Sequence, residues 1–462
     1  MAKRHKGFAE ATPDRNEALR RDTSLFLQSQ MKLLQAEGNL GALIIGDMSN
    51  WIIGLPLPCF ALEALIQNTV WPLERIVQLV GPQSTCKSGL CFEIARWFRK
   101  SHGVANLLEH ESKLNPAWAR SIVGWDDPYA LGHIPCTSVD DWQKKLTWMN
   151  DQAKAAMTGT KKKKGTGRTW PLLQIVDSLV SKLTAETQEK IKTQGHGGRG
   201  WPAEALSITR FLGALTEQLT FWPFSILGVN HLKPHRDEHT NIIERHKSGG
   251  KEIDFMESLE LQLDWQPHRY IHKRHLDGMR LYISCYKNAM GVTGRKIPVD
   301  CCWWDKVITD PMTGETEPRQ VTKWFWHAST IQFLLRLTND TSLKARAAAA
   351  KEIVNLQITK GPLVHSKELG IGRKSPVTFE EAGEILQANP AVLEPLRELF
   401  GVRKGKVFTN EVDFRKQKKV QLRKAAMAVQ RDLERPYPPA RGPETRNDEV
   451  VEDVDGEIIE ET

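Results

Sequence analysis

The stretch Arg75–Ser88, RIVQLVGPQSTCKS, combines the residue types needed to hold a chain of phosphates. Ile76, Val77, Leu79 and Val80 make a short apolar, mostly β-branched run that reads as a buried parallel strand. From Gly81 through Pro82, Gln83, Ser84, Thr85, Cys86 and Lys87 to Ser88, the order follows G-x-x-x-x-G-K-[ST], with Cys86 standing where the second glycine belongs. The following residues, SGLCFEIARWFRK, set Leu90, Ile94, Trp97 and Phe98 at helical spacing. A turn between such a strand and helix aims backbone N–H groups and the positive end of the helix dipole at an anion. Lys87 then reaches the outer phosphates and the Ser88 hydroxyl ligates Mg²⁺. The pattern predicts an ATP site over Gly81–Ser88.

A phosphate cradle of this kind needs carboxylates at neighbouring strand ends. Val104–Leu108 reads as a strand running into EHESKLNPAWAR, where Glu109 and Glu111 are both placed to orient or deprotonate water, or else to cap the next helix. A second apolar run, Leu172–Val176, ends in Asp177, the expected water-mediated contact to Mg²⁺. Phe224–Asn230 reads as a further strand, followed by a segment dense in His, Lys and Arg. There His231, His235 and His239 recur every four residues, but Pro234 interrupts the helix that a metal-binding face would need. Thr158–Trp170 reads as an exposed basic insertion, and Glu186–Trp201 as a Gly-rich basic loop. The loop Glu186–Trp201 and the segment after Asn230 are two basic loops following two successive strand ends, which suits a nucleic-acid channel.

The elements that must position these groups fit a chain of 462 residues with room for one large α/β domain and smaller additions. No apolar run is long enough to span a bilayer, and the polar start MAKRHKGFAEATPDRN has no apolar signal core. Seven scattered cysteines without a C-x-x-C pair indicate reduced thiols, and with the polar start they place the protein in a cytoplasm. The net charge is +8, yet the last sixteen residues carry eight carboxylates and no Lys or Arg, which leaves about +16 on the rest. A basic body predicts a polyanionic partner, with which an acidic tail can compete.

Four regions follow from composition. Residues 1–50 hold one helical stretch, Ser24–Gly38, suited to subunit docking or to packing on its own domain. Residues 51–300 hold the α/β core with the two basic loops. Residues 301–435 begin with a hairpin turning at Asp310–Gly314, continue through a helix opened by a capping box at Thr378–Glu381, and end in a basic, largely helical run, Arg403–Arg435. Residues 436–462 are linker and acidic tail.

From about Leu55 to Pro298 the chain resembles the RecA family of strand-exchange recombinases, among them phage-borne members. WPLERIVQLVGPQSTCKS is similar to that family's strand and phosphate loop, and LLEHESKLNPAW to its acidic segment. The resemblance implies Glu111 as the catalytic glutamate, with Asn115 and Trp118 holding adenine. It implies Asp177, in LLQIVDS, as the second magnesium contact. It also implies a first DNA loop with Lys190, Lys192 and Arg199, and a second with Lys233, Arg236, Arg245, Lys247, Gly249 and Gly250. Phe255 falls at a subunit-interface aromatic, and Lys287 at a lysine acting on the neighbour's ATP. The implied fold is a RecA-like core with a mostly parallel sheet. The implied cofactors are ATP and Mg²⁺. The implied partners are single- and double-stranded DNA, further copies of the chain in a helical polymer, and single-strand-binding and loader proteins.

Three departures accompany the resemblance. Cys86 adds a side chain beside the phosphates. His231 follows Asn230 where a glutamine usually senses the γ-phosphate, and Ala289 stands where a second trans-acting lysine is common. Other readings of the same residues are a ring-forming helicase or repair motor on this fold, and a weakly hydrolysing DNA-binding mediator.

Overall fold

The chain divides into two units, Met1–Asp47 with Arg423–Thr462, and Met48–Leu422. The computed structural model describes residues 52–127, 129–159, 165–166, 168–179, 189, 201–219, 222–236, 243–247, 257–269, 277–309, 314, 316–337, 344–359, 363–409 and 414, all within the second unit. The helical stretch 24–38, most of the basic run 403–435 and the acidic tail lie outside the described residues.

The unit opens with β1 (Ile53–Pro56), α1 (Phe60–Ile66) and β2 (Val70–Pro72). The core then alternates β3 (Arg75–Gly81), α2 (Lys87–Lys100), β4 (Val104–Glu109), α3 (Pro116–Val123), β5 (Gly132–Pro135), α4 (Val139–Thr158), β6 (Leu172–Asp177), α5 (Trp201–Leu219) and β7 (Phe224–Arg236). Strands β8 (Ile243–Lys247), β9 (Leu259–Arg269), β10 (Asp277–Asn288), β11 (Lys296–Thr309) and β12 (Thr316–Phe325) follow. The large sheet has the order β12-β11-β10-β9-β3-β7-β6-β4-β5, with β8 paired to β7. From β5 to β9 every neighbouring pair is parallel; β10 and β12 run against this direction. The protein is therefore a mixed α/β fold around a large, mostly parallel sheet.

The parallel strands read as continuous apolar runs because both of their faces are covered. Val77, Leu79, Leu107, Leu173 and Leu227 pack into one core with α1 and α2. Ile76, Leu108, Val176 and Ile226 turn to a second core with Trp142 and Leu146 of α4 and Leu212 and Leu215 of α5. Helix starts follow local chemistry: Ser138 accepts the Asp141 N–H at 3.1 Å at the head of α4, where Asp140 and Asp141 favour the positive end of the helix dipole. Among the described residues no helix is long and apolar enough to cross a membrane.

After the sheet come α6 (Trp326–Arg336), α7 (Lys344–Val354), β13 (Gln357–Ile358), β14 (Leu363–His365), β15 (Val377–Thr378), α8 (Phe379–Gln387), α9 (Pro390–Leu399) and β16 (Lys406–Val407). The hairpin expected around Asp310–Gly314 is present, with Thr309 paired to Thr316, and Thr378 and Glu381 form the expected capping box. Two expectations need correction, and a short strand lies within a third region. A boundary at residue 300 falls inside β11, which carries the same sheet across it, because hairpin β11–β12 completes the antiparallel edge. Lys233–Gly250 is in part an antiparallel ribbon, Leu232 pairing with Lys247 and Arg236 with Ile243, so its backbone gains ladder partners that a loop would lack. Within the basic run, Lys406–Val407 is a strand beside β1, in register Ile53↔Lys406.

One ion pair ties α9 to α1. Glu63 of α1, almost fully buried, receives Arg397 Nε and Nη2, each at 2.7 Å, and Arg397 also meets Glu394 at 2.8 Å. Arg397→Ala would leave a buried carboxylate without its guanidinium. Denaturant unfolding of this variant should show a loss of about 3 kcal/mol. A change below a few tenths would mean that solvent readily replaces the arginine.

Candidate functional site

The site lies at the C-terminal edge of the parallel strands, where open α/β sheets place ligands. Register brings its members level: Gly81 lies opposite His231, Val80 opposite Asn230, and Glu109 opposite Asp177. The chain passes from β3 to β4 over the positions of β7 and β6, so a crevice opens where the direction of winding changes.

Gly81 is required by close packing, since a Cβ there would sit 2.6 Å from the Leu263 carbonyl oxygen and 2.8 Å from Thr85 Oγ1. The loop then turns through left-handed Ser84 (φ 63°) and Cys86 (φ 57°) into α2. For a residue with a Cβ this conformation costs roughly 1–2 kcal/mol, which explains the glycine expected at position 86. The Cys86 thiol meets Cys301 on β11, whose own thiol is pushed well above the usual range by that contact and by burial. All seven cysteines are free.

Lys87 is buried, and its ammonium donates to the carbonyls of Gly81 at 2.9 Å and Pro82 at 2.5 Å. Burial lowers its proton affinity, and the charges of Asp177 and Glu111 partly restore it. Ser88 Oγ donates to Asp177 Oδ2 at 2.5 Å. Burial pushes the Asp177 carboxyl up, with the Ser88 bond and Lys87 opposing and Glu111 adding to the rise. The two residues expected to hold Mg²⁺ are thus in contact, and a hydroxyl beside a carboxylate is a fitting hard-oxygen donor set. Among the described residues no three His, Cys, Asp or Glu side chains cluster to hold a metal by themselves, so waters or phosphate oxygens would complete the shell.

The two candidate glutamates separate by their surroundings. Glu109 is buried, accepts the Lys113 N–H at 3.0 Å and lies 3.7 Å from His133 Nε2. Glu111 meets Lys113 Nζ at 2.8 Å and His231 Nε2 at 3.5 Å. Burial works against the charged form of Glu111, but the Lys113 bond and charge, with His231, outweigh it and hold the carboxyl below its usual range. Glu111 counts among the charges acting on Lys87, and both glutamates act on Asp177. Lys113 was not expected; a Glu-x-Lys pair in a loop has no periodic signature that would mark it.

Asn115 caps α3, its Oδ1 accepting the Trp118 N–H at 3.2 Å. Trp118 packs edge-on against Phe92 with centroids 5.2 Å apart, and a Cβ on Gly89 would come within 3.2 Å of its ring. The indole thus lies beside the first turn of α2, next to the cradle. Lys287 is not brought to the same cradle. It pairs with Glu260, which lies level with Gln78, three residues below Gly81 and two strands away.

Of the residues expected to contact DNA, Lys233 and Arg236 lie on β7 and Arg245 on β8. Lys190, Lys192, Arg199, Gly249 and Gly250, and the interface candidate Phe255, lie outside the described residues. Lys247 turns inward. Its ammonium meets Glu260 at 2.7 Å, Glu257 at 3.3 Å and Gln78 at 3.4 Å, pinning the ribbon to β9 and to the strand that feeds the cradle. No protein-family model matches the chain, and no curated protein matches it.

Burial pushes the Glu257 carboxyl up to about 8, with Lys247 opposing and Glu260 assisting the rise. A carboxyl that binds its proton more tightly in the fold than in the unfolded chain stabilises the fold fully below its ordinary 4.5, and loses that contribution as pH climbs toward 8. Urea midpoints taken from pH 6 to pH 9 should therefore decline in the natural protein. Glu257→Gln, fixed in the neutral form, should flatten that part of the decline, and parallel profiles would remove Glu257 as its source.

Proposed function

We propose that the protein is an ATP- and Mg²⁺-dependent recombinase that polymerises on single-stranded DNA, pairs it with homologous duplex and exchanges strands. The observation that carries this reading is the continuity of β7. One strand holds Asn230 at the level of the cradle, then His231 against Glu111, and then runs on as the basic ribbon with β8. A nucleotide site and a polyanion-binding element on one strand is what a nucleotide-controlled DNA protein requires.

In this reading Lys87 and the loop amides hold the phosphates, and Ser88 and Asp177 would hold Mg²⁺. The metal, when bound, neutralises charge on the phosphate oxygens. Glu111 orients the attacking water and accepts its proton, and His231 donates a hydrogen bond toward the γ-phosphate position. Trp118 and Asn115 flank the base. Lys287, remote from its own cradle, serves a neighbouring copy, which places ATP between subunits and makes a helical polymer the working form. The ribbon and the segment 186–201 contact DNA backbone, and base pairing reads sequence. The cytoplasm of a bacterium or of a phage-infected host is the expected setting.

Glu111→Gln should bind ATP and form filaments on single-stranded DNA while hydrolysis falls by on the order of a hundredfold. Lys87→Ala should lose nucleotide binding. Electron micrographs with single-stranded DNA and a non-hydrolysable ATP analogue should show helical filaments; closed rings would favour a helicase instead.

One observation favours a weakly hydrolysing mediator: Cys86 occupies a left-handed position that glycine adopts without strain. Cys86→Gly should preserve or raise the rate of hydrolysis if the departure is merely tolerated. Collapse of nucleotide binding in that variant would show that the cysteine is required.

A further inference from the structure

The part of the unit that follows the large sheet carries a polar recess which the nucleotide reading does not use. Strand β14 leads into a tight turn closed by reciprocal bonds, Ser366 N–H to the Ile371 carbonyl at 3.0 Å and Ile371 N–H to the Ser366 carbonyl at 2.7 Å. Ser366 Oγ donates to the Val354 carbonyl at the end of α7 and accepts the Leu369 N–H at 3.1 Å. Val354, Val364, Leu369 and Ile371 are buried beneath it. Gly370 takes a left-handed conformation (φ 71°), and neither it nor Gly372 has an atom within 4 Å of where a Cβ would stand. The turn is thus anchored from below and open above.

Over this base lies a recess of ≈ 460 Å³ lined by Asn355, Gln357, His365, Lys367, Gly372 and Arg373. Its cations have no ion-pair partner among the described residues. The one carboxylate in the turn, Glu368, accepts from Asn355 Nδ2 at 3.4 Å. The N–H groups of Gly372 and Arg373 find no backbone acceptor among the described residues. The sole aliphatic member of the lining, Ile371, is buried, so the recess offers little to an apolar ligand. It offers an ammonium, a planar guanidinium, an imidazole and consecutive backbone donors, a set that matches an anion with several oxygens.

We propose that this recess is a second phosphate-binding site, separate from Gly81–Ser88, which takes the phosphates of a nucleic-acid strand or of a free nucleotide. The nucleic-acid source rests on the proposed function; the phosphate chemistry of the recess does not. Lys367 and Arg373 supply the charge, and the fixed turn presents the backbone donors, so little ordering is needed when the anion enters.

The test uses the full chain carrying Lys367→Gln and Arg373→Gln together, exposed substitutions whose thermal midpoint is checked against the natural protein. In the first arm, labelled single-stranded oligonucleotides are titrated across a salt series. Loss of two phosphate contacts should weaken binding at low salt and make the slope of log K against log salt shallower by roughly 1.4. In the second arm, ADP is titrated by calorimetry into Lys87→Ala, with and without the two substitutions. Residual ADP binding that disappears with them would assign the site to a free nucleotide. We expect the oligonucleotide arm to respond. Unchanged curves in both arms, with the fold intact, overturn the recess as a phosphate site. A natural protein that binds no oligonucleotide at any salt overturns the proposed function instead, and the recess then stands or falls on the ADP arm.

Discussion

An ammonium group is buried where the strands of a parallel sheet end, and much of the surrounding structure follows from keeping it there. Taking an isolated cation out of water costs several kcal/mol even after relaxation. Lys87 is compensated by the carbonyl dipoles of Gly81 and Pro82 and by the charges of Asp177 and Glu111. Those carboxylates come from different strand ends, so they converge only if β3, β4 and β6 stop near one level, which the register of the parallel ladder enforces. The approach of Gly81 to Leu263 of β9 closes the other side and excludes any side chain there. Sheet register and site electrostatics are one constraint seen twice.

The second wall of the site comes from beyond residue 300. Glu93, fully buried on α2, accepts the indole N–H groups of Trp97 at 3.1 Å and Trp326 at 2.9 Å, and pairs with Arg96 at 2.5 Å. The helix that starts at Lys87 is thereby bolted to α6. Hairpin β11–β12 grips α3 through Ser121 with Thr322 at 2.8 Å, and Trp125 Nε1 donates to the Gln320 carbonyl at 2.8 Å nearby. Since α3 carries Trp118 and is capped by Asn115, the hairpin sets the position of both residues beside the loop. A region with no motif of its own thus determines the geometry of a motif more than 200 residues earlier.

This dependence on distant contacts explains what could be read from the sequence. The strands at Ile76–Val80, Val104–Leu108 and Leu172–Val176 are legible because parallel strands covered on both faces need unbroken apolar runs. The loop Gly81–Ser88 is local, so its residue order suffices, and the capping box at Thr378–Glu381 is legible for the same reason. Lys247 is the counterexample. Its charge fits a solvent-facing loop, and its actual partners, Gln78 and Glu260, lie 169 and 13 residues away with no period linking them. The ribbon is hidden in the sequence because His, Lys and Pro obscure alternation, while strand β7 gains its length from a partner and not from propensity. Strand β5, four residues of GHIP, has too little apolar content to be seen at all.

Coupling between a nucleotide and a distant ligand requires an element with two arrangements of similar free energy that both sites bias. Glu111 lies where such an element would begin. Its carboxylate is shared between Lys113, exposed and therefore a weak partner screened by salt, and His231, which belongs to the strand that becomes the ribbon. Under the proposed function, a γ-phosphate arriving beside Lys87 would draw on His231 as a donor while repelling Glu111. Any shift of His231 is passed directly to Leu232 and the ladder with β8, since no loop intervenes to absorb it. Lys247 supplies the restoring force, because its bonds to Glu260, Glu257 and Gln78 tether the returning strand to the sheet. The ribbon is therefore held at two points, by His231 beside Glu111 and by Lys247 on the sheet; under the proposed function this is the arrangement by which a change at a phosphate would reach the surface offered to DNA.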